Sequence, residues 1–315
     1  MSINASQPNV TFATSATAGW LLLRVLRRHF YSAIGRNPFA RGCHAPTLSD
    51  EWNSVRGLYE GSHAPPLRME ADEENRVLWK TNLGDMWLPL GAEQRYVAML
   101  GLEMRANVYP LSDGDKVILD CGANVGFFSR YAFLRGAEQV IAFEPSPRNI
   151  ACLQKNFAAE ISNGRFILIG KGVWDRNASL PFSSSNMANP GSHHLSEAHL
   201  GDIEVAVTSI DSVVKALGCG RIDYIKMDVE GAEIHALKGA KKTLERFHPR
   251  VCVATEHTLD LFKNSLDVIK CIGEMDSTYD YLGTEMHGYR SPSRGHVLTP
   301  YCLLFRSSYP KPALG

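Results

Sequence analysis

Three acidic strand ends carry the chemistry this sequence offers. Asp120 closes the apolar run Val117-Ile-Leu and opens directly into Cys121-Gly122-Ala123-Asn124-Val125-Gly126. Glu144 closes Val140-Ile-Ala-Phe143 and leads into Pro145-Ser146. Asp228 closes Ile222-Asp-Tyr-Ile-Lys226-Met227 and leads into Val229-Glu230-Gly231-Ala232-Glu233. A strand, a glycine turn and a helix start place backbone N–H groups and a positive helix end beside whatever binds there. An acid at the end of the next strand can accept hydrogen bonds from both hydroxyls of a ribose. A third, acid-rich strand end can take a proton or hold a hard divalent cation.

Two ligands suit a glycine turn followed by a ribose-binding acid: a dinucleotide and S-adenosylmethionine. A dinucleotide calls for Gly-x-Gly-x-x-Gly, so that the pyrophosphate can lie against the backbone. Here Gly122 and Gly126 are present, the middle glycine is missing, and Asp120 stands where a diphosphate would be repelled. An acid suits the cationic amino-acid half of S-adenosylmethionine, so that cofactor is the expectation. A nucleotide-dependent oxidoreductase is the alternative for the same turn.

The motifs Asp120-Cys-Gly-Ala-Asn-Val-Gly126, Phe143-Glu-Pro-Ser146 and Ile225-Lys-Met-Asp-Val-Glu-Gly-Ala-Glu233 together resemble the FkbM family of S-adenosylmethionine-dependent methyltransferases. Thr208-Ser-Ile-Asp211-Ser-Val and Val253-Ala-Thr-Glu256 are similar to that family as well. The likeness is clear over about residues 115–260 and looser to 306. It implies an α/β, Rossmann-like class I methyltransferase fold, with a mainly parallel seven-stranded sheet, helices on both faces and an antiparallel edge hairpin. It also implies O-methylation of a sugar, glycolipid or polyketide-like hydroxyl.

On that basis the cofactor residues are Asp120, Gly122, Ala123, Asn124, Gly126 and Phe127 at the turn, with Glu144, Pro145 and Ser146 at the ribose. Asp120 is expected near the methionine half, through a water or its ammonium, Ser146 as a helix cap, Gly172 and Val173 against the adenine, and Asp228 in contact with cofactor or acceptor. Methyl transfer to an alcohol needs alignment and removal of a proton. Asp228, Glu230 and His257 are the catalytic candidates, and Lys226 shares their strand end. A divalent metal such as Mg²⁺, held by Asp228 and Glu256, is the other device for acidifying the hydroxyl. Glu233 reads as a solvent-facing residue of the next helix.

The elements that must position these residues alternate. Strands are expected at 117–121, 139–143, 165–169, 222–227 and 250–256, and helices at 126–135, 146–158, 209–216, 231–244 and 261–275. Short strands at 178–182 and 203–207 flank a polar loop at 183–202, and apolar runs at 279–283 and 297–305 suit the edge hairpin. Such alternation implies a parallel sheet covered on both sides.

The catalytic domain is expected over 113–306 with a tail at 307–315. An extension over 1–75 precedes it, with a disordered start, a basic amphipathic helix at 18–35 and a linker. A structured cap over 76–112 holds a short strand at 77–80, a turn at 85–90 and a helix at 92–102, with Trp79 and Trp87 as pocket walls. The 18–35 helix suits packing on the domain, with peripheral contact to an anionic membrane surface as the alternative.

The 315 residues carry 33 basic and 33 acidic side chains, a balance that argues against nucleic acid as a partner. The expected partner is a small-molecule or glycan- or lipid-linked hydroxyl. Seven cysteines without a Cys-x-x-Cys argue against a disulfide framework or structural zinc and suit a cytoplasmic setting. A catalytically inactive binding module on the same fold is the non-enzymatic alternative.

Overall fold

Continuous apolar runs build the centre of the sheet. Val117–Cys121, Gln139–Phe143 and Tyr224–Met227 are buried along nearly their whole length, as parallel strands covered on both faces must be. The computed structural model describes residues 67–91, 108–183, 203–258, 260–291 and 295–309.

An antiparallel meander comes first, β1 (Leu67–Ala71), β2 (Arg76–Thr81) and β3 (Gly84–Pro89). The alternating part follows with β4 (Val117–Cys121), α1 (Phe127–Leu134), β5 (Gln139–Phe143), α2 (Pro147–Asn156), α3 (Ala158–Ser162) and β6 (Phe166–Ile169). A small side sheet is made of β7 (Gly172–Val173), β8 (Ala178–Phe182) and β9 (Ile203–Thr208). The chain returns through α4 (Ile210–Ala216), β10 (Tyr224–Met227), α5 (Glu233–Lys238), α6 (Lys241–Phe247), β11 (Arg250–Ala254) and α7 (Leu261–Met275). The hairpin β12 (Tyr279–Ser291) and β13 (Gly295–Ser307) follows.

The seven-stranded sheet has the order β12-β13-β11-β10-β4-β5-β6, and only β13 runs against the others. The fold class and the edge hairpin are those expected from the sequence. β4 pairs in parallel with both β5 and β10. The chain therefore winds outward from β4 over β5 and β6, then returns to its other side. A crevice opens at the carboxyl ends of strands where the winding reverses, which is where Asp120, Glu144 and Asp228 end their strands.

The reversal brings Gly122 against the β10 end. A Cβ on Gly122, whose φ is +79°, would lie 1.9 Å from the Asp228 carbonyl oxygen. Gly122→Ala is expected to cost on the order of 3 kcal/mol, from the left-handed backbone and the overlap together. Chemical denaturation reads this directly, and a loss under about 1 kcal/mol would mean that the two strand ends can part freely.

Four expectations change. The linker and the turn at 85–90 contain β1 and β3, because Met86 and Leu88 bury one side of the meander against the domain. Trp79 packs in the cluster of Leu83, Met86, Leu88, Val125, Phe127 and Cys152, and Lys155 sits over the Trp87 ring at 3.8 Å. Neither tryptophan lines the crevice. The helix expected at 231–244 breaks into α5 and α6. Gly239 packs against the Trp174 carbonyl, and Asp211 accepts hydrogen bonds from Lys242 N and Thr243 N, capping α6 from outside. The hairpin strands are longer than read. Ala254 at the end of β11 pairs with Cys302, so Gly295 to Tyr301 extend past that end, on the crevice side of the sheet. The helices expected at 18–35 and 92–102 lie outside the described residues, as does the loop from 184 to 202.

Candidate active site

The turn after β4 is held from below. Asp120 is fully buried; Ser129 Oγ donates to its Oδ2 at 2.6 Å, and Lys226 Nζ lies 3.4 Å from its Oδ1. Lys226, equally inside, also donates to the Gly122 carbonyl at 2.6 Å and reaches Asp228 Oδ2 at 3.7 Å. One ammonium thus joins the turn to both strand ends. Asp120 lies beneath the crevice rather than on its wall. Gly126 likewise faces inward: a Cβ there would strike the Phe157 ring at 2.2 Å. Lys226→Met leaves Asp120 as an unpaired buried acid, and a loss of about 3 kcal/mol is expected. Adding Asp120→Asn should recover part of it, and strictly additive losses in thermal or chemical unfolding would show that the two are not coupled.

Four N–H groups of the turn are used within the protein. Gly122 N and Ala123 N donate to the Phe143 carbonyl, Gly126 N donates to Ala123 O, and Asn124 N donates to Glu144 Oε2 at 2.8 Å. Those four amides are already committed and cannot serve a pyrophosphate, which argues against a dinucleotide on physical grounds. Glu144 also accepts from Ser146 N at 2.9 Å and Asn149 Nδ2 at 3.3 Å on Oε1. Burial pushes its carboxyl up to about 7 against the pull of those donors. Ser146 stands at the start of α2, but its hydroxyl makes no capping bond; the backbone N–H is what it contributes. The crevice is open to solvent, and about 810 Å³ of space, part of it open solvent, lies between its walls. Gly122, Ala123, Asn124, Phe127, Glu144, Pro145, Gly172, Val173, Asp228 and Glu230 all lie on its wall.

At the β10 and β11 ends a second set converges. Tyr109 OH donates to Asp228 Oδ2 at 2.7 Å. His257 Nε2 faces Asp228 Oδ1 at 3.3 Å, Glu230 Oε2 at 3.7 Å and Glu256 Oε1 at 3.8 Å. Its Nδ1 is 3.0 Å from Glu233 Oε1. Burial would lower the imidazole, but the bond to Glu233 and the surrounding carboxylates override it and raise His257 to about 10. Burial would raise Asp228, but Lys226, His257 and Tyr109 hold it below the usual carboxylate range. Burial pushes Glu230 up to about 8, and raises Glu256, which Tyr301 hydrogen-bonds. The set has an ionised acid, an imidazolium and a proton-bearing carboxyl side by side near neutral pH.

Among the described residues, the atoms that converge as a metal set are those of Asp228, Glu230 and His257, within 4.8 Å of one another. Glu256, expected as the second ligand, is not in that set. Glu233 is a correction too: it is 1% exposed and turned inward, not solvent-facing. Sequence reasoning missed Tyr109, Ser129, Asn149 and Tyr301, which reach the site from segments without a motif. No helix among the described residues is long and apolar enough to cross a membrane.

The model of the methyltransferase FkbM domain matches residues 120–291, more than half of the chain. The 2-O-methyltransferase NoeI of Sinorhizobium fredii is 33% identical over 153 residues, 43% of this chain and 62% of that protein. The hexuronic acid methyltransferase AglP of Haloferax volcanii is 28% identical over 134 residues, 42% of this chain and 54% of that protein. The chain thus matches less than two thirds of the length of either relative. The crystal structure of the methyltransferase FkbM from Methylobacillus flagellatus KT aligns at 20% identity and a TM-score of 0.46, covering 68% of this chain and 52% of that one. With its family-model match spanning both Glu144 and the acid–imidazole set, this chain belongs to the FkbM methyltransferase domain family.

Proposed function

We propose that this protein is an S-adenosylmethionine-dependent O-methyltransferase whose acceptor is a sugar hydroxyl, free or linked to a glycan or lipid. The observation that carries the reading is one strand-end crevice lined both by a buried acid, Glu144, and by Asp228 and Glu230, with His257 beside those two acids. S-adenosylmethionine, when bound, supplies an electrophilic methyl group on a sulfonium.

The residues fit that cofactor. Glu144 is fixed by three donors, two on Oε1 and one on Oε2, and Oε2 keeps a lone pair for a ribose hydroxyl. Asn124 Oδ1 is buried at the crevice wall without a hydrogen-bond partner, an acceptor suited to the cofactor's donors. Phe143 and Val173 give an apolar slot for the adenine. At the other end Asp228 orients the acceptor hydroxyl and receives its proton as the methyl is transferred, while His257 balances its charge. Several carboxylates suit the many hydroxyl donors of a polyol. That NoeI is a 2-O-methyltransferase and AglP a hexuronic acid methyltransferase supports a sugar.

The convergence of Asp228, Glu230 and His257 favours a second reading of the same end, in which a divalent cation held there orients the acceptor. Titration calorimetry with S-adenosylhomocysteine, with and without Mg²⁺ or a chelator, tests both. Micromolar binding supports the cofactor, followed by methyl transfer to a panel of sugars; a chelator-sensitive turnover selects the metal reading. Failure to bind S-adenosylhomocysteine in either condition sinks the methyltransferase reading, and NAD(P)H binding would then favour an oxidoreductase.

A further inference from the structure

Glu233 opens α5, and its side chain turns back beneath the β10 end. Its Oε1 accepts from Gly231 N at 3.1 Å and Val229 N at 3.4 Å, and meets His257 Nδ1 at 3.0 Å. His257 arrives from the segment after β11, so this contact joins two loops that sequence leaves 24 residues apart. Three partners on one oxygen, in a residue that is 1% exposed, leave the carboxylate little freedom. One imidazole nitrogen is therefore committed to Glu233, and the other is aimed at Asp228 Oδ1 at 3.3 Å. A carboxylate on one ring nitrogen fixes both the orientation of a histidine and the role of its other nitrogen.

We infer that Glu233 is a positioning residue: it holds the His257 imidazole so that Nε2 faces Asp228, the acid that receives the proton of the acceptor hydroxyl. The inference rests on the catalytic reading of Asp228. Glu233 does not line the crevice and acts only through His257. A purely structural tie between α5 and the segment after β11 would predict something else: loss of stability, with turnover per folded molecule unchanged.

The test uses the full chain with Glu233→Ala and Glu233→Gln, the second retaining an acceptor oxygen in case the first folds poorly. Turnover with S-adenosylmethionine and a sugar acceptor should fall about 10- to 100-fold in the alanine variant, the usual range for loss of a residue that orients a histidine from behind. The fall should be smaller in the glutamine variant. Affinity for S-adenosylhomocysteine should stay within about threefold, since Glu144 and not Glu233 holds the cofactor. At fixed pH, the hydrogen-bonded Nδ1–H proton of His257, assigned by its loss in His257→Asn, should vanish from its downfield NMR position in Glu233→Ala. An unchanged Nδ1–H signal would overturn the assignment, as would cofactor affinity falling in step with turnover in Glu233→Gln. If the wild-type protein binds no S-adenosylhomocysteine, the methyltransferase reading fails on its own, and the His257 signal still decides whether Glu233 holds the ring.

Discussion

Glu144→Ala is expected to weaken S-adenosylhomocysteine binding about 10- to 100-fold. A hydrogen bond from a ribose hydroxyl to a buried ionised carboxylate is worth about 1.5 to 3 kcal/mol, and alanine removes it. The turn itself loses acceptors for Asn124 N and Ser146 N, so circular dichroism must show that the variant is folded. Unchanged affinity in a folded variant would remove Glu144 from the cofactor site.

The same residue makes a prediction about pH. Burial raises its carboxyl from 4.5 to about 7 in the free protein. A ribose hydroxyl donates to the ionised form, so the complex holds the proton less tightly than the free protein. Affinity should therefore be full above about pH 7 and fall roughly tenfold per pH unit below it, with proton release on binding near neutral pH. Stability runs the other way. The folded protein holds this proton more tightly than the unfolded chain, so the contribution is present below pH 4.5 and lost as pH rises through about 7. Calorimetry in buffers of different ionisation enthalpy reads the released proton, and its absence at pH 7 would show that Glu144 is already ionised or untouched by the ligand.

Asp228→Asn is expected to lower turnover at least 100-fold while changing S-adenosylhomocysteine affinity less than tenfold. Asparagine keeps the shape and can still accept from Tyr109, but it cannot take a proton; a positioned proton acceptor contributes about 10²–10⁴ in rate. The kcat effect separates this role from cofactor contact, which would appear as lost affinity instead. Turnover within a few-fold of wild type would move the proton acceptor to Glu230 or Glu256, the other carboxylates beside His257 Nε2.

The sheet was legible because its strands are short, continuous apolar runs ended by acids or glycine turns, a pattern that local sequence carries almost alone. Val117–Cys121, Gln139–Phe143 and Arg250–Ala254 lie where their composition puts them. The meander was harder to read. Gly84 and Pro89 look like turn residues, and the burial of Met86 and Leu88 depends on the α1–α2 side of the domain, which no local window includes. The break between α5 and α6 depends in the same way on Asp211, about 30 residues earlier, and on the Trp174 backbone.

The site divides along the same line. By itself the sequence determined which acids end strands, because strand ends and glycine turns are local features, and so Glu144 and Asp228 could be named from their neighbours. Tertiary structure decided what each acid does. Asp120 and Asp228 end adjacent strands and share Lys226, yet one is sealed under the turn and the other faces the crevice. Glu233 and His257 meet only because β10 and β11 lie side by side. Burial and neighbouring charges then set which group holds a proton, and those depend on distances through space that the order of residues along the chain does not record.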